Sequence, residues 1–395
     1  VEPSPIQELI RRHLAERAAA HHLRQRQVVQ PIDPVRVHID GREYLNFASN
    51  DYLGLTHHPA VTAAMREAIA HDGAGAGAAA LISGYTPLHA KAESAIAAWK
   101  GTQSAVLLPS GYQANHAAVQ TAAAIGQAAD RPVRFLIDKL VHASLIDAVR
   151  GTGEPFRVFG HNGIDKLRRL LREAPADQLQ IVVTESIFSM DGDAADLRAL
   201  AQLKAEHPFV LVLDEAHASG VYGPNGCGYA SELSLENAAD IAIVTLSKAM
   251  GLMGGAVCTS AELADLLINH ARAYIYTTSV APVVAAGAIA AIDVMQHEPH
   301  RQQRLREQAR RVRDELKSRG LTVGGLDDSP ILPVIVGAPQ AALKAGARSR
   351  EEGILVGAIR PPTVPPGASR LRITLSSEHT DDQIKRLCET LRRVI

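Results

Sequence analysis

Between residues 49 and 285, short β-branched runs recur at 105–108, 134–137, 181–184, 210–213, 242–246 and 255–259, most of them separated by Ala- and Leu-rich stretches at helical spacing. This alternation restricts the chain to an α/β fold: a mostly parallel central sheet flanked by helices, with ligands bound beyond the carboxyl ends of its strands. Upstream, residues 6–27 mix apolar and charged side chains at helical spacing, and residues 35–44 alternate like a hairpin around Asp40-Gly41, so residues 1–48 read as an N-terminal arm. Downstream, a charged helix over 295–321 and strands over 331–336, 355–358 and 371–375 make 286–395 a smaller C-terminal α/β domain beside a large domain of 49–285. With 395 residues, 46% of them hydrophobic, the chain can build more than one lobe. The Gly/Ala tract at 71–80 is too short for a linker and is expected as a flexible turn near the site.

Composition narrows the partners. The 41 basic and 42 acidic residues leave a formal net charge of -1, so no global field recruits nucleic acid or an anionic membrane. Cys227, Cys258 and Cys388 are scattered, with no CxxC pair, which fits a reducing compartment. No apolar run is long enough to span a bilayer, and the opening Val-Glu-Pro-Ser-Pro lacks a signal-peptide pattern. The expectation is a cytoplasmic protein acting on small molecules, without nucleic acid or membrane partners. No H-E-x-x-H or other tight ligand spacing appears, so no metal is expected, and His21-His22 and His57-His58 read as surface pairs.

The candidate chemical residues all follow strand runs. Lys248, one of only nine lysines, comes directly after the run at 242–246. Desolvation there lowers an amine's pKa and makes it a nucleophile toward an aldehyde, as a Schiff-base lysine requires, although the position also suits a lysine that snorkels past a strand end. Asp214-Glu-Ala-His217 ends the run at 210–213. Asp214 suits the anionic partner that keeps a pyridinium nitrogen protonated, His217 suits contact with that ring's phenolic oxygen, and Glu215 is solvated or structural. The same tetrapeptide occurs in nucleotide-hydrolysing helicases. That class requires G-x-x-x-x-G-K-[ST], and no lysine here follows a glycine; nor does the Gly73–Gly77 tract match a dinucleotide fingerprint. Ser110, Gly111 and Tyr112 open a helix after the run at 105–108, which suits a phosphate cradle and equally an ordinary N-cap turn. His142, beyond the run at 134–137, suits stacking on a planar cofactor, against the structural role that most of seventeen histidines must have.

Seven segments in order, at 46–55, 110–115, 138–144, 184–193, 214–217, 245–248 and 276–279, resemble the α-oxoamine synthase family of fold-type I enzymes dependent on pyridoxal 5′-phosphate (PLP), from about residue 40 to the end. The Pro-rich stretch 359–375 is most similar to the biotin-pathway branch. The resemblance implies condensation of an amino acid, L-alanine in that branch, with pimeloyl-CoA or a pimeloyl-carrier thioester, releasing CO2 and free thiol. Sibling branches use glycine or serine, and a non-catalytic PLP-binding protein is the alternative of a different class. Carried over by position, Lys248 is the Schiff-base lysine, Asp214 the pyridinium partner and His142 the stacking ring. Ser189 and His217 neighbour the phenolic oxygen, Glu185 joins the cofactor-binding set, and Thr245 contacts the phosphate with Ser110, Gly111 and Tyr112. Thr278, of the Thr277-Thr278 pair, reaches the phosphate of a second subunit, implying a homodimer with shared sites. Arg372, assisted by Asn50, clamps the amino-acid carboxylate. Ala79 and Ala80 replace polar residues of many relatives, and Ser247 and Leu252-Met253 also depart from the branch pattern, which touches acyl recognition.

Overall fold

Why the polypeptide turns back between its second and third strands is legible in two residues. Strands β1 (Gln30–Asp33), β2 (Arg36–Ile39) and β3 (Arg42–Asn46) form an antiparallel meander. Asp40 and Gly41 take φ of 51° and 76°, the left-handed pair that a tight β2–β3 turn of type I′ demands and that Asp-Gly supplies cheaply. The structure, a computed structural model, describes residues 4–19, 23, 24 and 26–395; His21-His22 lies outside the described residues. The helix expected within 6–27 runs over Pro5–Ala19, and none of its residues is buried.

The central sheet contains β4 (Ser104–Leu108), β5 (Val133–Asp138), β6 (Phe156–Phe159), β7 (Leu179–Glu185), β8 (Val210–Asp214), β9 (Ile241–Thr245) and β10 (Gly255–Thr259), in the order β4-β10-β9-β8-β7-β5-β6. Only β10 runs antiparallel to its neighbours. The carboxyl ends of β4, β5, β7, β8 and β9 therefore share one edge, where β10 begins. Nearly every residue of β7, β8 and β9 is buried, as strands covered on both faces should be. β6 was not expected: it is a four-residue edge strand with Arg157 and Val158 exposed, too short to show a period.

The C-terminal part adds β11 (Ile331–Gly337), β12 (Ile354–Leu355), β13 (Gly357–Ile359) and β14 (Ser369–Thr374). The expected single strand at 355–358 is divided: β12 joins β3 in the arm's sheet, whereas β13 pairs with β14 in the sheet β11-β14-β13. The expected helix 295–321 is also two helices, Pro282–His297 and Pro299–Ser318. Pro299 has no N–H to continue the first helix, but its fixed φ suits the opening of the second. The first of these helices is largely buried and crosses residue 285. No helix among the described residues is long and apolar enough to cross a membrane.

Two contacts bring the C-terminal lobe against the sheet edge. The Phe47 N–H donates to the Leu355 carbonyl and the Phe47 carbonyl accepts from the Thr374 N–H, each at 2.9 Å, so the chain leading to Asn50 is held between β12 and β14. A Cβ on Gly192 would lie 2.6 Å from the Ile331 carbonyl oxygen, so the loop after β7 rests directly on β11 only because this residue is glycine.

Candidate active site

The shared sheet edge gathers side chains from five strand ends. Ser110 caps the helix Gly111–Ala128 with its Oγ, which accepts from the Gln113 N–H at 3.1 Å. Gly111 packs so close to β9 that a Cβ there would lie 3.0 Å from Thr245 Oγ1. His142 follows β5, Glu185 ends β7, Asp214 ends β8, and Thr245 and Lys248 follow from β9. Together with Ser110, Gly111, Tyr112 and His217 they line one cavity of about 250 Å3. Asn115 and Ser144 line it too. Of the expected site residues, Ser189, Thr278, Asn50 and Arg372 are not among its lining groups. None of residues 73–80 lines it either.

Burial sets the proton affinities here. It pulls the Lys248 ammonium down to about 8, against the opposing carboxylates of Asp214 and Glu185 and with help from Arg372. Burial pushes the Glu185 carboxyl well up, and the neighbouring Asp214 charge adds to this; its Oε1 accepts the His142 N–H. His142 is shifted down by burial, and His217 well down by burial and then by the charges of Lys248 and Arg372, so both rings are neutral at pH 7. Asp214 accepts from Asn115 Nδ2 at 2.9 Å and from the Ala216 N–H at 2.8 Å. The site thus pairs an easily deprotonated amine with a buried, hydrogen-bonded carboxylate.

A second polar cluster abuts the first. Arg372 Nε donates to the Ser189 carbonyl at 2.7 Å, and its two terminal nitrogens lie 3.3 and 3.2 Å from Asn50 Oδ1. Tyr52 Oη lies 3.3 Å from the same Asn50 oxygen and 2.7 Å from His217 Nδ1, linking the cluster to the cavity. Sequence reasoning gave Tyr52 no role, although it stands in the 46–55 segment. Thr278 stands apart within one chain; Thr277 Oγ1 accepts from Gln113 Nε2 at 3.1 Å behind the Ser110 cap. Tyr112 directs its hydroxyl away to Asp147 Oδ2 at 3.0 Å, so only its backbone end belongs to the cradle. Glu215 is structural: it is 2.5 Å from Lys100 Nζ in a buried ion pair and accepts the Ala230 N–H.

His161 is the group sequence reasoning missed entirely. Its Nδ1 lies 3.2 Å from Asp138 at the end of β5 and its Nε2 2.8 Å from Asp193, tying the His142 loop to the Ser189 loop. Burial opposes its charge, but hydrogen bonds to the two carboxylates outweigh this and raise it to about 10. A folded-state pKa above the ordinary 6.5 contributes stability fully present below about pH 6.5 and lost as pH rises through 10. His161→Asn is therefore expected to lower the melting temperature by roughly 2–4 °C below that pH. The gap should close toward pH 10, and a gap independent of pH in thermal melts would contradict the ion pairing.

Residues 42–391 match the family described as aminotransferase class I and II. The chain belongs to that family. A putative 8-amino-7-oxononanoate synthase of Desulforudis audaxviator is 41% identical over 379 residues, covering 96% of each chain. The 8-amino-7-oxononanoate synthase of Stutzerimonas stutzeri is 42% identical over 96% of this chain and 94% of its own. A serine palmitoyltransferase solved with its PLP internal aldimine superposes with a TM-score of 0.91 at 28% identity, covering 99% of this chain and 97% of that one. The fold is thus that of the fold-type I PLP transferases.

The residues present suit this family's cofactor. Gly111 lets the helix N-terminus close on Thr245 Oγ1, so that end of the helix and this hydroxyl line the same cavity, as a phosphate site requires. Asp214 would supply the anion for a pyridinium nitrogen, and Lys248 the amine for an aldehyde. PLP fits the donor set without any rearrangement of charge.

Proposed function

We propose that this chain is a PLP-dependent acyltransferase that condenses L-alanine with a pimeloyl thioester, as pimeloyl-CoA or a pimeloyl-carrier protein, to 8-amino-7-oxononanoate, CO2 and free thiol. The observation that carries the chemistry is Lys248, a buried amine lowered to about 8 and lying in the field of Asp214 and Glu185 at the strand ends. Relatives bearing the synthase name at 41–42% identity over 96% of the chain support the substrates. PLP when bound supplies an electron sink for the pair left at Cα. The protein's part is to hold and move protons and to orient. Lys248 Nζ takes the Cα proton, Asp214 keeps the ring nitrogen protonated, and His142 covers the ring. Arg372 presents a planar guanidinium to the amino acid's carboxylate, with Asn50 fixing the fork.

Several further readings accompany this one. We assign 49–285 to cofactor binding, 286–395 to the lobe that carries Arg372, and 1–48 to the arm. We also assign a homodimer and a cytoplasmic location; the dimer is supported by exposed apolar side chains beside the Thr277-Thr278 pair and in the 71–85 stretch, where Tyr276 is 72% and Ile82 82% exposed. Thr278 then completes the partner subunit's phosphate site.

The test is to titrate the PLP-loaded enzyme with L-alanine, glycine and L-serine separately, then add pimeloyl-CoA and follow absorbance and thiol release. Alanine-selective thiol release supports the proposal. Selectivity for serine moves the assignment to the sibling favoured by the 0.91 TM-score, and no response to any amino acid removes it. Within the same assay Arg372→Lys is expected to raise KM for L-alanine about 10- to 100-fold, the worth of one charged hydrogen bond. An unchanged KM would show that the carboxylate binds elsewhere.

A further inference from the structure

A chain of hydrogen bonds, buried at Asn115 and Ser144 and reaching the cavity at His142, connects Asp214 to His142. Asn115 Nδ2 lies 2.9 Å from Asp214 Oδ2 and 2.8 Å from Ser144 Oγ, and Ser144 Oγ lies 2.7 Å from His142 Nδ1. Asn115 and Ser144 are 4% and 0% exposed. Each donor has one consistent direction. An ionised carboxylate only accepts, so Asp214 requires the amide nitrogen of Asn115 to face it. That nitrogen has two hydrogens, and the second goes to Ser144 Oγ. The Ser144 hydroxyl can accept there and still donate its own hydrogen to His142 Nδ1, and the next contact fixes that direction. The Ser144 backbone N–H also points at Nδ1, at 3.3 Å, because His142 caps the helix Ala143–Thr152. Two donors aimed at one ring nitrogen require its lone pair.

The unpartnered, buried Oδ1 of Asn115 supports the same orientation. Turning the amide over would place that oxygen against Asp214, acceptor to acceptor in a dry site. The fold tolerates one unsatisfied carbonyl oxygen instead.

We propose that Asn115 and Ser144 are positioning residues that transmit the ionised state of Asp214 to His142 and hold its ring as the neutral tautomer protonated at Nε2. The proposal rests on the reading of Asp214 and His142 as the cofactor's neighbours. Its consequence is a division of labour. With Nδ1 engaged and Nε2 protonated, His142 presents no lone pair to the cavity, so the ring serves as a flat cover and a donor, and the Cα proton is left to Lys248. Burial disfavours the imidazolium, and Lys248 acts in the same sense, against the carboxylates of Asp214 and Asp147.

The direct test is magic-angle-spinning NMR of the PLP-loaded enzyme labelled with 15N-histidine, with His142→Asn to assign the ring. The expected result at pH 7 is an unprotonated Nδ1 and a protonated Nε2; a proton on Nδ1, or on both, overturns the proposal. This readout needs no amino acid or thioester, so failure of the substrate assignment leaves it intact. The second test is a cycle of Asn115→Ala, Ser144→Ala and the pair. Each single change is expected to lower kcat about tenfold with little change in KM for L-alanine, and the pair to cost no more than the worse single. Effects that multiply in the pair would show two independent contacts and sink the relay.

Discussion

In the Lys248→Ala variant, turnover is expected to fall at least a thousandfold, and borohydride is expected to leave PLP removable by dialysis, since no side chain remains to be linked to it. The size follows from removing both the cofactor's covalent anchor and the proton acceptor; general acid–base catalysis alone accounts for about 100- to 10,000-fold. No other lysine substitutes. Lys100, also buried, is committed to Glu215 and to the Cys227 carbonyl. Because burial has already brought Lys248 to about 8, the amine freed in each cycle is a competent base just above neutrality. Near-native turnover in this variant would overturn the assignment of the whole site.

Asp214→Asn is expected to lower kcat by about 100- to 4,000-fold, the consequence of losing roughly 3–5 kcal/mol when one member of a buried charged pair is removed. The substitution keeps the shape but removes the charge that holds a proton on the ring nitrogen. It also places one amide against another, so Asn115 no longer has an obligatory acceptor. The loss should therefore appear in kcat and in the absorbance of the bound cofactor, while KM for the thioester stays nearly constant. An unchanged rate with an unchanged spectrum would mean that the ring nitrogen has another partner.

The two effects differ in origin. In the proposed mechanism Lys248 would act on the proton at the reacting carbon, whereas Asp214 would act on the cofactor's ring nitrogen. A solvent-exposed aspartate would be worth far less. Asp214 would be effective because β8 buries it and because the Asn115 amide and the Ala216 N–H pair with its oxygens.

Residue order along the chain was enough to specify the layered α/β fold, because strands covered on both faces must be continuous apolar runs and their tips must carry whatever polar chemistry follows. That Lys248, Asp214, His142 and His217 would line one cavity was legible for that reason: each follows such a run. Short or one-sided elements were not legible. β6 pairs on one side only, and the stretch at 354–359 belongs to two sheets, a division with no local signal. The helix break at Pro299 was written in the sequence, yet the charged stretch around it reads as continuous.

What only the tertiary structure decided is which polar atoms face one another. Asn115 shares the Gly111 face of its helix one turn on, Ser144 follows His142 by two residues, and His161 lies 23 residues from Asp138 and 32 from Asp193. Periodicity places such residues on an element but cannot say which donor meets which acceptor across elements, since hydrogen bonds act over about 3 Å and depend on the packing of several strands at once. The kinds of residue needed for this chemistry were therefore determined by the sequence, and their protonation states by the burial and contacts that folding creates.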